Sequence, residues 1–195
     1  MLVEHAPHWV NEDKVELDAE DFKKIYDFFV IHTPVVRLSS RSIPLSEYGW
    51  SKPWKKPEYL NRDIKDASNN PSLFYAVQKL DDIEGALNKA STYFDSTYPE
   101  LEVACFYNNE SNQVMSCFCH LRNSLCHGRY RIFRSGEDLW IAVEDKAKTK
   151  VKGRQGEKLS ARMLLRLSTL MKWIEIVRRG PRSIDAAESK KETGV

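Results

Sequence analysis

Asn123 and His127 sit four residues apart in the one segment of this 195-residue chain whose residue types suggest chemistry. That segment is His120-Leu121-Arg122-Asn123-Ser124-Leu125-Cys126-His127-Gly128-Arg129-Tyr130. Positions i and i+4 are neighbours on a helix, so the amide and the imidazole are within reach of each other. If the helix ends here, His127 lies among its terminal carbonyls, which favour a positive charge, and a histidine so placed suits general acid–base work near neutral pH. Arg122 adds a planar, permanently charged fork that matches phosphate oxygens. No Asp or Glu stands between Gln113 and Gly136, so the segment lacks the carboxylates that hold Mg²⁺. These types fit a reaction at a phosphodiester with no metal and no cofactor. A purely structural reading competes with it: Asn123 and His127 cap a helix, and Arg122 makes a surface ion pair.

Four cysteines, Cys105, Cys117, Cys119 and Cys126, fall within 22 positions. Cys117-x-Cys119-His120 resembles a ligand set only superficially. On a helix the two thiols diverge by about 160°, and no second ligand pair stands at zinc-finger spacing. Buried free thiols are the expectation.

The elements that must position the motif read mostly as helices. Asp18 is a predicted N-cap, with Phe22, Ile25, Tyr26 and Phe29 at helical spacing until Thr33-Pro34. Residues 35–57 hold four prolines or glycines and predict a long irregular loop. Asn70-Pro71 predicts the start of the longest helix, striped by Leu73, Val77, Leu80, Leu87, Ala90 and Phe94 and ending by Pro99. A third helix is expected from about Asn112 to His127, with Val114, Phe118, Leu121 and Leu125 as its core face and Ser116, His120, Asn123, Ser124 and His127 opposite. Gly128 suits the stop. Tyr130 and Ile132 against Leu139, Ile141 and Val143 predict a hairpin over 130–143. A lysine-rich connector and a last helix over 159–179 follow, and 183–195 reads as a flexible tail. The fold expected is mainly α: one domain, 1–182, built as a bundle of four to five helices with a single small β-hairpin after the motif helix.

Taken together, Arg122-Asn123-x-x-x-His127 followed by Gly128 and a hairpin resembles the Arg-x4-His motif of HEPN-domain ribonucleases, in particular bacterial and plasmid-borne HEPN proteins. The motif match covers about a dozen residues. The helix order and hairpin extend it loosely from Asp18 to Arg179, with a longer 35–57 loop than a minimal HEPN bundle needs. The resemblance implies a metal-independent endoribonuclease that cleaves single-stranded RNA to 2′,3′-cyclic phosphate and 5′-hydroxyl ends, as a toxin or antiphage defence effector. The catalytic residues implied are His127 as general acid–base, Arg122 stabilising transition-state charge, and Asn123 orienting His127 or the phosphate. It also implies a homodimer with a composite active-site cleft and the prospect of an antitoxin or regulatory protein. Geometry agrees on one point: Arg122 and His127 are five residues apart, about 140° around a straight helix, so a second protomer could complete the site. A catalytically silent RNA-binding or dimerisation module, or a subunit of a larger complex, is the alternative.

A net charge of +2 argues against a polyanion partner only until it is divided along the chain. Residues 1–111 carry 12 basic and 19 acidic side chains, whereas residues 112–195 carry 18 and 9. The basic half begins at the motif helix and favours an RNA partner. His120, Arg129, Arg131, Lys148, Lys150 and Lys152 are its candidate RNA contacts. Lys146, Lys148, Lys150 and Lys152 alternate, so they share one face if the segment is extended; a solvated loop is the other reading. In the 35–57 loop, Arg37, Arg41, Lys52, Lys55 and Lys56 interleave with Tyr48, Trp50 and Trp54, which either hold a single strand or pin the loop to the core. The first residues lack a signal-peptide pattern and no run spans a bilayer, so a cytoplasmic protein with no membrane partner is expected.

Overall fold

A strand buried on both faces reads in sequence as a nearly unbroken apolar run, hard to distinguish from a buried helix. Such a strand lies at the centre of this protein. The computed structural model describes residues 15, 18–50, 58–68, 73–96, 98–110, 112–151 and 154–182. In it the run Leu159–Arg166 belongs to a strand, β5 (Arg154–Arg166), and the last helix, α6 (Leu167–Arg179), begins only afterwards. Ala161, Met163 and Leu165 of β5 pack into one hydrophobic cluster and Leu164 into another.

β5 sits in the middle of a five-stranded sheet of order β1-β2-β5-β4-β3. The other strands are β1 (Phe74–Val77), β2 (Val103–Tyr107), β3 (Tyr130–Ser135) and β4 (Asp138–Val151). β1 runs parallel to β2, and the remaining neighbours are antiparallel. The mainly α bundle with one hairpin is therefore corrected to a mixed α/β fold. The expected hairpin exists, pairing Tyr130 with Val143 and Phe133 with Trp140. Its second strand runs on through the lysine-rich segment, which is strand rather than connector. The expected long helix also dissolves. Phe74–Val77 is an edge strand, followed by a 3₁₀ turn (Leu80–Asp82) and two short helices, α3 (Ile83–Lys89) and α4 (Ser91–Phe94). Its apolar spacing fits helix and strand alike over four residues, and pairing with β2 decides the outcome. The N-cap expected at Asn70 and the tail 183–195 lie outside the described residues.

Helices cover both faces of the sheet. On one side α1 (Ala19–Tyr26), α2 (Glu58–Asp66), α5 (Gln113–Cys126) and α6 share a core with Ile141, Val143 and Met163. On the other, α3 and α4 bury Ile83, Ala86 and Phe94 against Val103, Trp140 and Leu164. Asp18 caps α1 as expected, accepting from the Glu20 amide at 2.7 Å, and the helix relaxes into a π-helical turn, Asp27–Ile31. The 35–57 loop contains two 3₁₀ turns, Val36–Leu38 and Leu45–Tyr48. Trp50 pins it by donating Nε1–H to the Val177 carbonyl, 3.0 Å. Trp54, Lys52, Lys55 and Lys56 lie outside the described residues. Gly180 ends α6 at φ +76°, and a Cβ there would stand 2.5 Å from the Tyr48 carbonyl oxygen. No helix among the described residues is long and apolar enough to cross a membrane.

Candidate active site

The motif helix α5 starts where the sequence writes its cap, Asn112, whose side chain accepts from the Met115 amide at 2.9 Å. Its apolar face is packed edge-on: the Phe118 ring meets Phe28 and Phe29 at 81°. Much of the opposite face is buried too. Ser116, His120 and Ser124 are at most 1% exposed. Burial of polar groups demands partners, and each has them. Ser116 Oγ donates to Asn108 Oδ1 at 2.7 Å. Ser124 Oγ lies 2.7 Å from the Glu144 carbonyl.

His120 is the hub of this buried face. Its Nδ1 is 2.7 Å from Asp145 Oδ2 and its Nε2 is 2.7 Å from the Tyr107 carbonyl. The helix is thereby bolted to β4 and to the end of β2. The same Asp145 oxygen accepts from Asn123 Nδ2 at 3.1 Å, and Asp145 Oδ1 accepts from the Lys146 amide at 2.9 Å. Asn123 in turn offers Oδ1 to Arg122 Nη1 at 3.3 Å, while Arg122 Nη2 donates to the Leu38 carbonyl at 2.9 Å. A continuous chain of hydrogen bonds thus runs from Tyr107 through His120, Asp145, Asn123 and Arg122 to Leu38.

Two properties of Arg122 matter chemically. The side chain is half-buried, and its Nε is buried with no hydrogen-bond partner among the described residues. Its guanidinium is held by neutral oxygens and pairs with no carboxylate among the described residues. A cation oriented this way retains its charge for an anionic ligand.

His127 stands apart from this network. It is the C-cap of α5, its amide bonded to the Asn123 carbonyl at 3.0 Å, and its ring is exposed with no hydrogen bond among the described residues. No hydrogen bond joins the Asn123 and His127 side chains, because the Asn123 amide is committed to Asp145 and Arg122. Gly128, at φ +64°, turns the chain out of the helix. Arg129 N–H donating to Ser124 O (2.9 Å) and Glu144 N–H to Arg129 O (3.0 Å) splice that turn onto β4.

The candidate RNA contacts divide in the same way. His120 is enclosed, so it cannot touch a ligand directly; its role is to hold the helix. Arg129 is 8% exposed and paired to Glu157 at 3.3 Å. Arg131 is half-buried on β3, Lys148 is exposed on β4, and Lys150 is paired in register with Gln155. Lys152 lies outside the described residues. Two surface hollows, of about 620 and 600 Å³, lie beside β1 and α3 and between α2 and α6, and neither is lined by a motif residue.

Asp145 is the participant that sequence reasoning missed. Its signal was the alternation Leu139, Ile141, Val143, whose next inward position is 145. A carboxylate in that register needs a buried partner. Cys105, Cys117 and Cys119 are buried, and burial pushes the Cys105 thiol up to about 12 and Cys119 to about 11. Among the described residues no group of His, Cys, Asp and Glu is arranged to hold a metal ion. Comparison with family models, curated proteins and solved structures returned no match.

Proposed function

We propose that the chain is a metal-independent endoribonuclease built around an Arg-x4-His motif like that of HEPN enzymes but on a mixed α/β fold, acting on single-stranded RNA as a toxin or antiphage effector. The observation that carries this reading is the pairing of two unlike groups at one helix end. Arg122 is a fixed guanidinium with no carboxylate partner among the described residues, and His127, at the cap, is an exposed imidazole with no hydrogen bond. In the reaction the ribose 2′-oxygen bonds to the adjacent phosphorus and the bond to the 5′-oxygen breaks. The 2′-hydroxyl proton goes to a base, and the leaving oxygen takes a proton from an acid. His127 serves one of these transfers, and Arg122 stabilises the charge gathering on the phosphoryl oxygens. The products are a 2′,3′-cyclic phosphate and a 5′-hydroxyl.

Arg122 and His127 stand about 140° apart around the helix, which supports a twofold assembly in which a second copy closes the site and supplies the other proton-transfer group. An antitoxin or regulatory protein would act by blocking that assembly or the exposed His127.

A second reading is favoured by the contacts of Arg122 and Asn123 to Leu38 and Asp145, which suit a silent RNA-binding module whose motif only holds the fold. Incubating purified protein with total RNA in EDTA, beside His127→Ala, separates the two. Cyclic-phosphate ends produced by wild type and lost in the variant support the enzyme. Intact RNA in both across pH and RNA type favours the silent module.

A further inference from the structure

The sheet is not uniform in width. β3 follows β4 only as far as Val143, and β2 follows β5 only as far as Ala161. Beyond a register shift at Asp145/Lys146, β4 and β5 continue through six pairs, from Lys146–Leu159 to Val151–Arg154, with no third strand beside them among the described residues. This two-stranded ribbon is roughly 17 Å long. Residues 146–159 contain six basic side chains and one acid, Glu157. Free-standing two-stranded ribbons are marginal in water, so a projecting one needs props. It has two near its root: Arg129 to Glu157 at 3.3 Å, and Lys158 to Asp81 at 2.7 Å.

The first prop also sets the charge. Glu157 lies opposite Lys148 in register, yet it is drawn to Arg129. Lys146 and Lys148 have no acidic partner among the described residues, and Lys148 is exposed. The two lysines are two residues apart on one strand, about 6.7 Å, a spacing comparable to successive phosphates of an extended strand. The rail also starts at the motif. Arg129 is two residues past His127, and Asp145, immediately before Lys146, holds Asn123 and His120.

We infer that the ribbon is a phosphate rail: it holds the backbone of an extended single-stranded RNA on Lys146 and Lys148 and leads it to His127. This deepens the ribonuclease reading and rests on it for the destination of the strand, but not for the binding. Sequence-independent holding of phosphates by lysine is steeply salt-dependent, each contact adding about 0.7 to the slope of log affinity against log salt for single strands.

The test uses full-length protein, EDTA, and a fluorescent 20-nucleotide 2′-O-methyl oligouridine that cannot be cleaved. Lys146→Ala/Lys148→Ala is expected to weaken binding at least about tenfold at moderate salt and to lower the salt slope by about 1.4. Lys146→Arg/Lys148→Arg should retain it. Lys23→Ala/Lys24→Ala, on exposed α1, is the control for bulk charge and should change little. Circular dichroism checks that every variant folds. Unchanged affinity and slope in the Ala pair, an equal loss in the α1 control, or no binding by wild type would each overturn the rail. Cleavage of unmodified RNA is scored separately with His127→Ala. Lysine-dependent binding without His127-dependent cleavage keeps the rail and removes the nuclease. His127-dependent cleavage with rail-independent binding does the reverse.

Discussion

The Asp145 carboxylate on β4 holds His120 of the overlying α5, Oδ2 to Nδ1 at 2.7 Å, with the two side chains 5% and 1% exposed. Removing one member of such a pair strands the other out of water, at a cost of about 3–5 kcal/mol. Asp145→Ala and His120→Ala should each lose stability on that scale. The double variant should lose clearly less than the sum, since the second removal takes away the group that the first had stranded. Urea unfolding measures all three, and additive losses would show that the pair is not coupled.

His127 and Arg122 should separate activity from stability. His127→Ala removes an exposed ring with no hydrogen bond among the described residues, so the midpoint should move by less than about 0.5 kcal/mol while RNA cleavage falls by about 10²–10⁴. Arg122→Ala should lower cleavage and also cost about 1 kcal/mol, because the Leu38 carbonyl loses its donor. Thermal unfolding beside an EDTA cleavage assay reads both effects.

Gly180→Ala should destabilise the protein by about 2–3 kcal/mol. The residue has φ +76°, and the new methyl would meet the Tyr48 carbonyl oxygen, backbone that cannot swing aside. Gly128→Ala, also at positive φ but with nothing within 4 Å, should cost less. Paired chemical denaturation curves give the comparison.

Thiol chemistry supplies a pH dependence. Burial raises Cys105 to about 12, Cys119 to about 11, and Cys117 as well. In the unfolded chain these thiols ionise near their ordinary value, about 8.5. Above that pH the unfolded state holds fewer protons than the native one, so stability falls as pH rises and keeps falling until the native thiols ionise. Unfolding midpoints from pH 7 to 10 should decline, less steeply in Cys105→Ala/Cys119→Ala. Iodoacetamide at pH 8 should label Cys126 alone, the exposed thiol. Mass spectrometry of the native protein would count the adducts.

The ends of the motif helix were legible because they are written locally: Asn112 and Gly128 cap and stop it through their own backbone geometry. The same holds for Asp18 and the turn between Phe133 and Trp140. β1 and β5 were not legible, since their partners lie far away in sequence. Phe74 pairs with Ala104, and Met163 with both Ala104 and Val143; no local window contains those contacts. The polar side of α5 failed for the same reason. Ser116, His120 and Ser124 look solvent-facing until Asn108, Asp145 and Glu144 are folded over them. In the candidate site, the residue types of Arg122, Asn123 and His127 were visible, but the commitment of Asn123 to Asp145 was a tertiary fact.

The central position of β5 also governs when the protein becomes a protein at all during synthesis. β2 joins the antiparallel ladder only through β5, so the sheet stays in two unjoined pieces until Arg166 has left the ribosome. A nascent chain that already displays the whole motif helix still lacks the framework that aligns Arg122. Such long-range closure is slow compared with helix formation, and until it happens a half-made chain has no assembled site.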